Sequence, residues 1–140
     1  MKRQKAQSKL ADYTILKTLG SGAQAKVKAA QSATGETVAL KIFKRNLDNA
    51  QYDQLLMQQL GQEVDCYEHL KHPYIVSIIE FQPEASYMSK SGDQYTCAFI
   101  ALEYCQNGEL FNLIVQGGRL SEPTCRYYFK QLLQACLLMH

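Results

Sequence analysis

Gly20 and Gly22, in the run Leu19-Gly20-Ser21-Gly22-Ala23-Gln24-Ala25-Lys26-Val27, leave a stretch of backbone bare of side chains. A hairpin of this kind can lie over a bulky anion such as a polyphosphate, because nothing holds its amides away. The third small residue of a G-x-G-x-x-G spacing is Ala25. Taken alone, the run is equally an ordinary glycine hairpin. It differs from a dinucleotide-binding turn in joining two strands, where the dinucleotide turn opens a helix.

Three further groups add chemistry. In Val38-Ala39-Leu40-Lys41, Ala39 and Lys41 point to one face of a strand, so a small residue sits beside an ammonium. A lone strand lysine is commonly a solvated edge, but Lys41 follows the glycine hairpin by one strand and can reach an anion there. Glu63 lies beside Leu60, Val64 and Tyr67 on an apolar helical stripe. A carboxylate there needs a partner, since an unpaired buried charge is strongly unfavourable. Lys41 is the available cation, although Glu63 alone would also suit a helix surface. Finally, Leu102-Glu103-Tyr104-Cys105 leads from an apolar strand into Asn107-Gly108-Glu109-Leu110-Phe111. An extended connector exposes N–H and C=O groups that can pair with a base edge, and Glu109 could accept from ribose hydroxyls. A plain connecting loop would look the same.

Positioning these groups requires a scaffold. Residues 13–19 are β-rich, residues 25–30 alternate small or apolar with polar side chains, and residues 37–43 follow a Thr34-Gly35-Glu36 turn as a third strand. From about Gln51 to Leu70 the period is helical, through Leu56, Leu60, Val64, Tyr67 and Leu70. Gly61 costs this helix about 1 kcal/mol relative to Ala, so the helix depends on packing. Lys71-His72-Pro73 is expected to end it. Residues 74–81 and 95–104 read as two more strands around a polar Ser91-Gly92-Asp93 turn. A short helix from Glu109 to Gln116 closes at Gly117-Gly118. Ser121-Glu122-Pro123 then starts a longer helix whose Cys125, Tyr128, Phe129, Leu132, Leu133 and Cys136 form one stripe. The expected class is α+β: five mostly antiparallel strands with one helix against them, followed by two helices of a different layer.

The order of glycine hairpin, V-A-L-K, helical Glu63, H-P-Y-I-V, L-E-Y, G-E-L-F and L-S-E…R-Y-Y-F-K-Q-L-L resembles the protein kinase family along residues 13–140. G-E-L-F and L-S-E-x-x-x-R look most like the Ser/Thr type, near the calmodulin-dependent and AMP-activated-like kinases. Glu63 falls nine residues before His72-Pro73, where the family's αC glutamate is found. The resemblance implies a basic tail over residues 1–12, a kinase N-lobe over 13–104 (five-stranded antiparallel sheet plus αC helix), and the hinge and first C-lobe helices over 105–140. It implies a Lys41–Glu63 ion pair holding the α- and β-phosphates of ATP, which the family uses with Mg2+. It makes residues 19–27 the cover of the phosphates and Val27 and Ala39 the roof of the purine pocket. Leu102 becomes the gatekeeper, Glu103 and Cys105 the hinge residues that hold adenine, and Leu110 a residue near the pocket floor. Gln24 departs from the pattern, since an aromatic is common at the hairpin tip.

The family's H-R-D-L-x-x-x-N and D-F-G segments do not occur within the 140 residues. The catalytic base and the magnesium ligands are therefore expected to be absent, the chain to look truncated, and the polypeptide alone to transfer no phosphate. The expected partners are ATP, a protein substrate, and either the rest of the C-lobe or another chain covering the long helix. A naturally short nucleotide- or kinase-binding module is the alternative.

Bulk composition agrees with a globular domain: 46% hydrophobic, 20% charged, 3 Pro and 8 Gly. A net charge of +2 from 15 basic and 13 acidic residues argues against nucleic acid or an anionic membrane as partner. Five cysteines without C-x-x-C or zinc spacing suggest reduced thiols and a cytoplasmic chain. The basic opening lacks the apolar core of a secretory signal, and no apolar run approaches the ~20 residues of a membrane span.

Overall fold

The computed structural model describes residues 8–140. Its elements are β1 (Lys9–Leu10), β2 (Tyr13–Ser21), β3 (Lys26–Gln31), β4 (Thr37–Lys44), α1 (Ala50–Glu68), β5 (Ile78–Met88), β6 (Gln94–Glu103), α2 (Leu110–Gly117) and α3 (Glu122–Met139). Neighbouring strands run antiparallel in the spatial order β1-β2-β3-β4-β6-β5, and β1 also pairs with β5, closing the sheet into a barrel. The expected five-stranded antiparallel sheet is thereby corrected to a closed one of six strands. Two residues carry no legible period, so β1 was hidden in the basic opening. Residues 1–7 of that expected tail lie outside the described residues. Leu10 is fully buried, and Ser8 donates to the Met88 carbonyl at 2.6 Å while sharing a 3.1 Å hydrogen bond with the Tyr87 hydroxyl.

Alternation along the strands divides the sheet into two faces. Val38, Leu40 and Ile42 of β4 and Cys97, Phe99 and Ala101 of β6 turn into the barrel, where they meet Leu10, Tyr13, Ile15 and Tyr87. Phe43, Ala98 and Ile100 turn the other way and pack on Leu56 and Leu60 of α1. Both faces are covered, which is why V-A-L-K-I-F reads as a nearly continuous apolar run. Full burial of side chains such as Leu60 contributes roughly 1.5–3 kcal/mol each. Inside the barrel, burial first and a 2.7 Å hydrogen bond to Glu80 second push the Tyr13 hydroxyl up to about 12. Burial alone pushes the Cys97 thiol up to about 11, and its Sγ lies 3.5 Å from the Ala85 carbonyl.

The Asn49 side chain accepts from the Tyr52 amide at 3.1 Å and so caps α1. The helix ends at Glu68, ahead of the expected Leu70. Residues 74–77, expected in a strand, lie outside it: a turn follows Pro73, with the Tyr74 amide donating to His72 Nδ1 and the Ile75 amide to the His72 carbonyl. The strand starts at Ile78 and continues through Pro83 to Met88; the ladder tolerates the proline because its register shifts between Gln82 and Ala85. Gly118, at φ 74°, ends α2, and the Ser121 side chain accepts from the Thr124 amide to start α3. α2 buries no residue and α3 only Ala135.

Candidate functional site

Cross-strand partners share a face, and the face turned towards α1 carries two rows: Val27–Lys41–Ile100 and Ala29–Ala39–Leu102. Lys41 is therefore flanked by apolar residues on both neighbouring strands. Its Nζ lies 2.7 Å from Glu63 Oε1 and 5.2 Å from the centre of the Phe43 ring. Glu63 reaches it because Asp53, Leu56, Leu60 and Glu63 follow three- and four-residue steps, the stripe of α1 that faces the sheet. The two side chains are 32% and 36% exposed, so water screens the pair. A pair of that exposure is worth about 0–1 kcal/mol to stability. Its structural effect is to fix where an ammonium stands.

The glycine hairpin hangs over this cation. Ser21 pairs with Lys26 and Gly20 with Val27, and the Gly22 amide donates to the Ala25 carbonyl at 2.9 Å to close the turn. Neither Gly20 nor Gly22 has a left-handed φ, so the backbone does not demand glycine there. A Cβ added at Gly20 would meet nothing within 4 Å, and one at Gly22 only the Ala25 carbonyl at 3.6 Å. The missing side chains thus serve no internal packing; they leave open space. Below it lies a cleft of about 460 Å³ lined by residues 22–25, Val27, Lys41, Phe43 and Glu63 together with Leu56, Gln59 and Leu60 of α1. An open space under Gly20 and Gly22 with a lysine below it is a shape and charge that can accept an anion.

Of the other expected site residues, Ser21, Ala23 and Gln24 lie in the exposed hairpin and Leu19 at a break in the β2–β3 register. Lys26 is not brought to the cleft-facing rows, because its cross-strand partner Ile42 belongs to the barrel core. The Glu103 amide donates to the Ser77 carbonyl at 3.0 Å, which anchors the connector to the turn before β5. The Cys105 carbonyl accepts from the Gly108 amide at 3.3 Å, and its own amide meets no backbone acceptor among the described residues. Glu109 stands at the N-cap of α2 without making a side-chain cap bond, which leaves its carboxylate exposed. Leu110 lines a groove between α2 and α3 with Ile114, Cys125 and Phe129. It was expected near the purine floor.

The protein kinase domain family matches residues 13–140. The chain belongs to the protein kinase family. CBL-interacting serine/threonine-protein kinase 3 of Arabidopsis thaliana is 35% identical over 140 residues, covering 99% of this chain and 29% of the relative. CBL-interacting serine/threonine-protein kinase 26 of the same plant is 36% identical, covering 100% of this chain and 29% of the relative. CBL-interacting protein kinase 9 of Oryza sativa subsp. japonica is 35% identical over 91% of this chain and 25% of its own length. The chain thus spans less than a third of the length of these curated relatives. Two of these relatives carry the name serine/threonine-protein kinase.

Two features of this kinase domain escaped sequence reasoning. Phe43 and Gln59 line the cleft, and Arg45 forms a forked ion pair with Asp53. That pair raises the Arg45 guanidinium and lowers the Asp53 carboxyl, the side-chain hydrogen bonds being the main cause in each case. Asp53 could have been found by the reasoning used for Glu63, since it lies three residues before Leu56 on the buried stripe. Among the described residues no group of three or more His, Cys, Asp or Glu is placed to hold a metal ion. No helix among them is long and apolar enough to cross a membrane.

Proposed function

We propose that this chain is the ATP-binding part of a Ser/Thr protein kinase that transfers the γ-phosphate of ATP to protein hydroxyls. The observation that carries the reading is the 2.7 Å Lys41–Glu63 contact beneath a hairpin that carries no side chain at Gly20 and Gly22. In this reading the Gly20–Ala25 backbone covers the triphosphate and Lys41 neutralises its α- and β-phosphates. Glu63 keeps the ammonium from swinging away. Val27 and Ala39 press on the purine, beside Leu102 as gatekeeper. The Glu103 carbonyl and Cys105 amide pair with its edge, and Glu109 takes the ribose hydroxyls. Leu110 stands near the floor of the purine pocket.

ATP supplies the transferable phosphoryl group when bound. Stabilising the charge on that group needs a base and metal-holding side chains that the family carries in H-R-D-L-x-x-x-N and D-F-G. Neither segment occurs within the 140 residues. The 140-residue polypeptide is therefore proposed to bind nucleotide and to transfer nothing by itself. The exposed stripe of α3 and the roughly 650 Å³ apolar groove it shares with α2 would then be covered by the rest of a helical lobe. A protein substrate belongs to that larger assembly. The five unpaired cysteines support a reducing, cytoplasmic setting. The second reading, a non-catalytic nucleotide- or kinase-binding module, uses the same cleft.

Titration calorimetry with ATP tests the nucleotide reading. We expect saturable binding that weakens roughly tenfold or more in Lys41→Met, as for loss of a hydrogen bond to a charged group. Equal binding by the wild type and Lys41→Met would overturn it. Protein phosphorylation by the 140-residue polypeptide that disappears in Lys41→Met would overturn the proposed inactivity.

A further inference from the structure

We infer that Arg45 is a positioning residue, holding the N-terminal half of α1 on the sheet so that Glu63 stays within reach of Lys41. Arg45 directly follows β4, and its amide donates to the Thr96 carbonyl at 3.1 Å, so its backbone is pinned to the neighbouring strand. Its guanidinium makes two hydrogen bonds with the Asp53 carboxylate, Nε to Oδ1 at 3.0 Å and Nη2 to Oδ2. Nη1 donates to Glu84 Oε2 at 3.2 Å and the Pro83 carbonyl at 3.4 Å. One cation therefore ties together the end of β4, the first turn of α1 and the bulge of β5.

The two ionic links between this strand and α1 are unequal. Arg45 and Asp53 keep only 15% and 11% of their side-chain surface exposed and join through a planar fork. Lys41 and Glu63 join through one contact at about a third exposure. Asp53 and Glu63 are ten residues apart, about 15 Å along the helix, with Leu56 and Leu60 buried between them. A helix transmits tilt along its length, so the shielded, two-pronged link sets the angle at which the exposed, single link is made. Without Arg45, Asp53 would be a buried carboxylate with no cation, and the first turn of α1 would move out towards water. The inference rests on the proposed nucleotide site for its consequence, but the positional claim can be read without any nucleotide.

The test follows the Lys41 15Nζ resonance by NMR in the chain and in its variants. Glu63→Gln defines the resonance of an unpaired Lys41. Arg45→Gln, and the near-isosteric Asp53→Asn if Arg45→Gln fails to fold, should shift the resonance towards that position. Arg45→Lys, which keeps the charge but loses the fork, should fall between. ATP affinity should drop roughly tenfold in Arg45→Gln and show little further loss when Arg45→Gln is added to Glu63→Gln. A lowered melting temperature with the Lys41 resonance unmoved would make Arg45 a purely structural residue and overturn the inference. An unmoved resonance in Glu63→Gln would overturn it as well. If ATP affinity is indifferent to Lys41→Met, the nucleotide reading fails, while the resonance shifts still decide the positional claim.

Discussion

The barrel with α1 and the pair α2–α3 are patterned by the same rule, apolar residues at the period of their secondary structure, yet they bury very different shares of them. In the barrel, Leu40, Phe99 and Ile100 are entirely covered. On α3, Phe129 is 59% and Leu137 77% exposed, and Phe111 on α2 is 68% exposed. The difference lies in what each region faces. The strands curl until β1 meets β5, so they supply their own opposite wall, and α1 covers the outer face. α2 and α3 have one apolar side each and, among the described residues, no sheet or helix laid across it. Periodicity states that a face must be covered; it does not state by what.

The largest effect that would test this contrast compares two phenylalanines. Phe99→Ala should cost about 3–5 kcal/mol in a denaturant titration. Phe129→Ala should stay within about 0.5 kcal/mol. A comparable loss at both positions would mean that α3 is packed in solution.

A smaller effect probes the link between α1 and the sheet. Arg45 holds the Asp53 carboxyl below its ordinary range, so the folded chain gives up that proton more readily than the unfolded one. The resulting stabilisation is complete above the ordinary Asp pKa of about 3.9 and is lost as the pH falls through the lowered folded value. In thermal melts, the stability gap between wild type and Arg45→Gln should be constant between about pH 5 and 7 and should narrow below about pH 4. A gap that widened in acid would contradict the assignment.

The smallest effect sharpens the account of α1. A Cβ at Gly61 would meet no atom within 4 Å and needs no unusual φ, so Gly61→Ala should stabilise the chain by about 0.5–1 kcal/mol. A loss on the same measurement would show that the glycine serves a contact made only in a larger assembly.

Much of the barrel was legible because its signals are local. The strands over residues 13–21, 26–31, 37–44 and 94–103 announce themselves by alternation and turns, and α1 by its leucine stripe. Glu63 was legible for the same reason, as a charge on a buried stripe. What was missed depends on partners distant in sequence. β1 exists only because Met88 and Tyr87 pair with it. Beyond its fork with Asp53, Arg45 also reaches Glu84, 39 residues away, and a bulge that Pro83 alone did not reveal. Tyr74-Ile75-Val76 looked like a strand because it is apolar, whereas His72 draws the amides of Tyr74 and Ile75 into a turn. Leu110 lines the groove between α2 and α3, a juxtaposition that no local pattern encodes.

Cys97 gives the barrel a built-in clock. Its thiol is enclosed on all sides and burial raises its pKa to about 11, whereas Cys66, Cys105 and Cys125 are exposed. Only the thiolate attacks an alkylating reagent, so Cys97 is doubly protected, by lack of access and by lack of charge. The three exposed thiols count reagent encounters, while modification of Cys97 counts openings of the barrel itself. One tube of protein and one reagent thereby time two processes: collision with the surface and breathing of the strands.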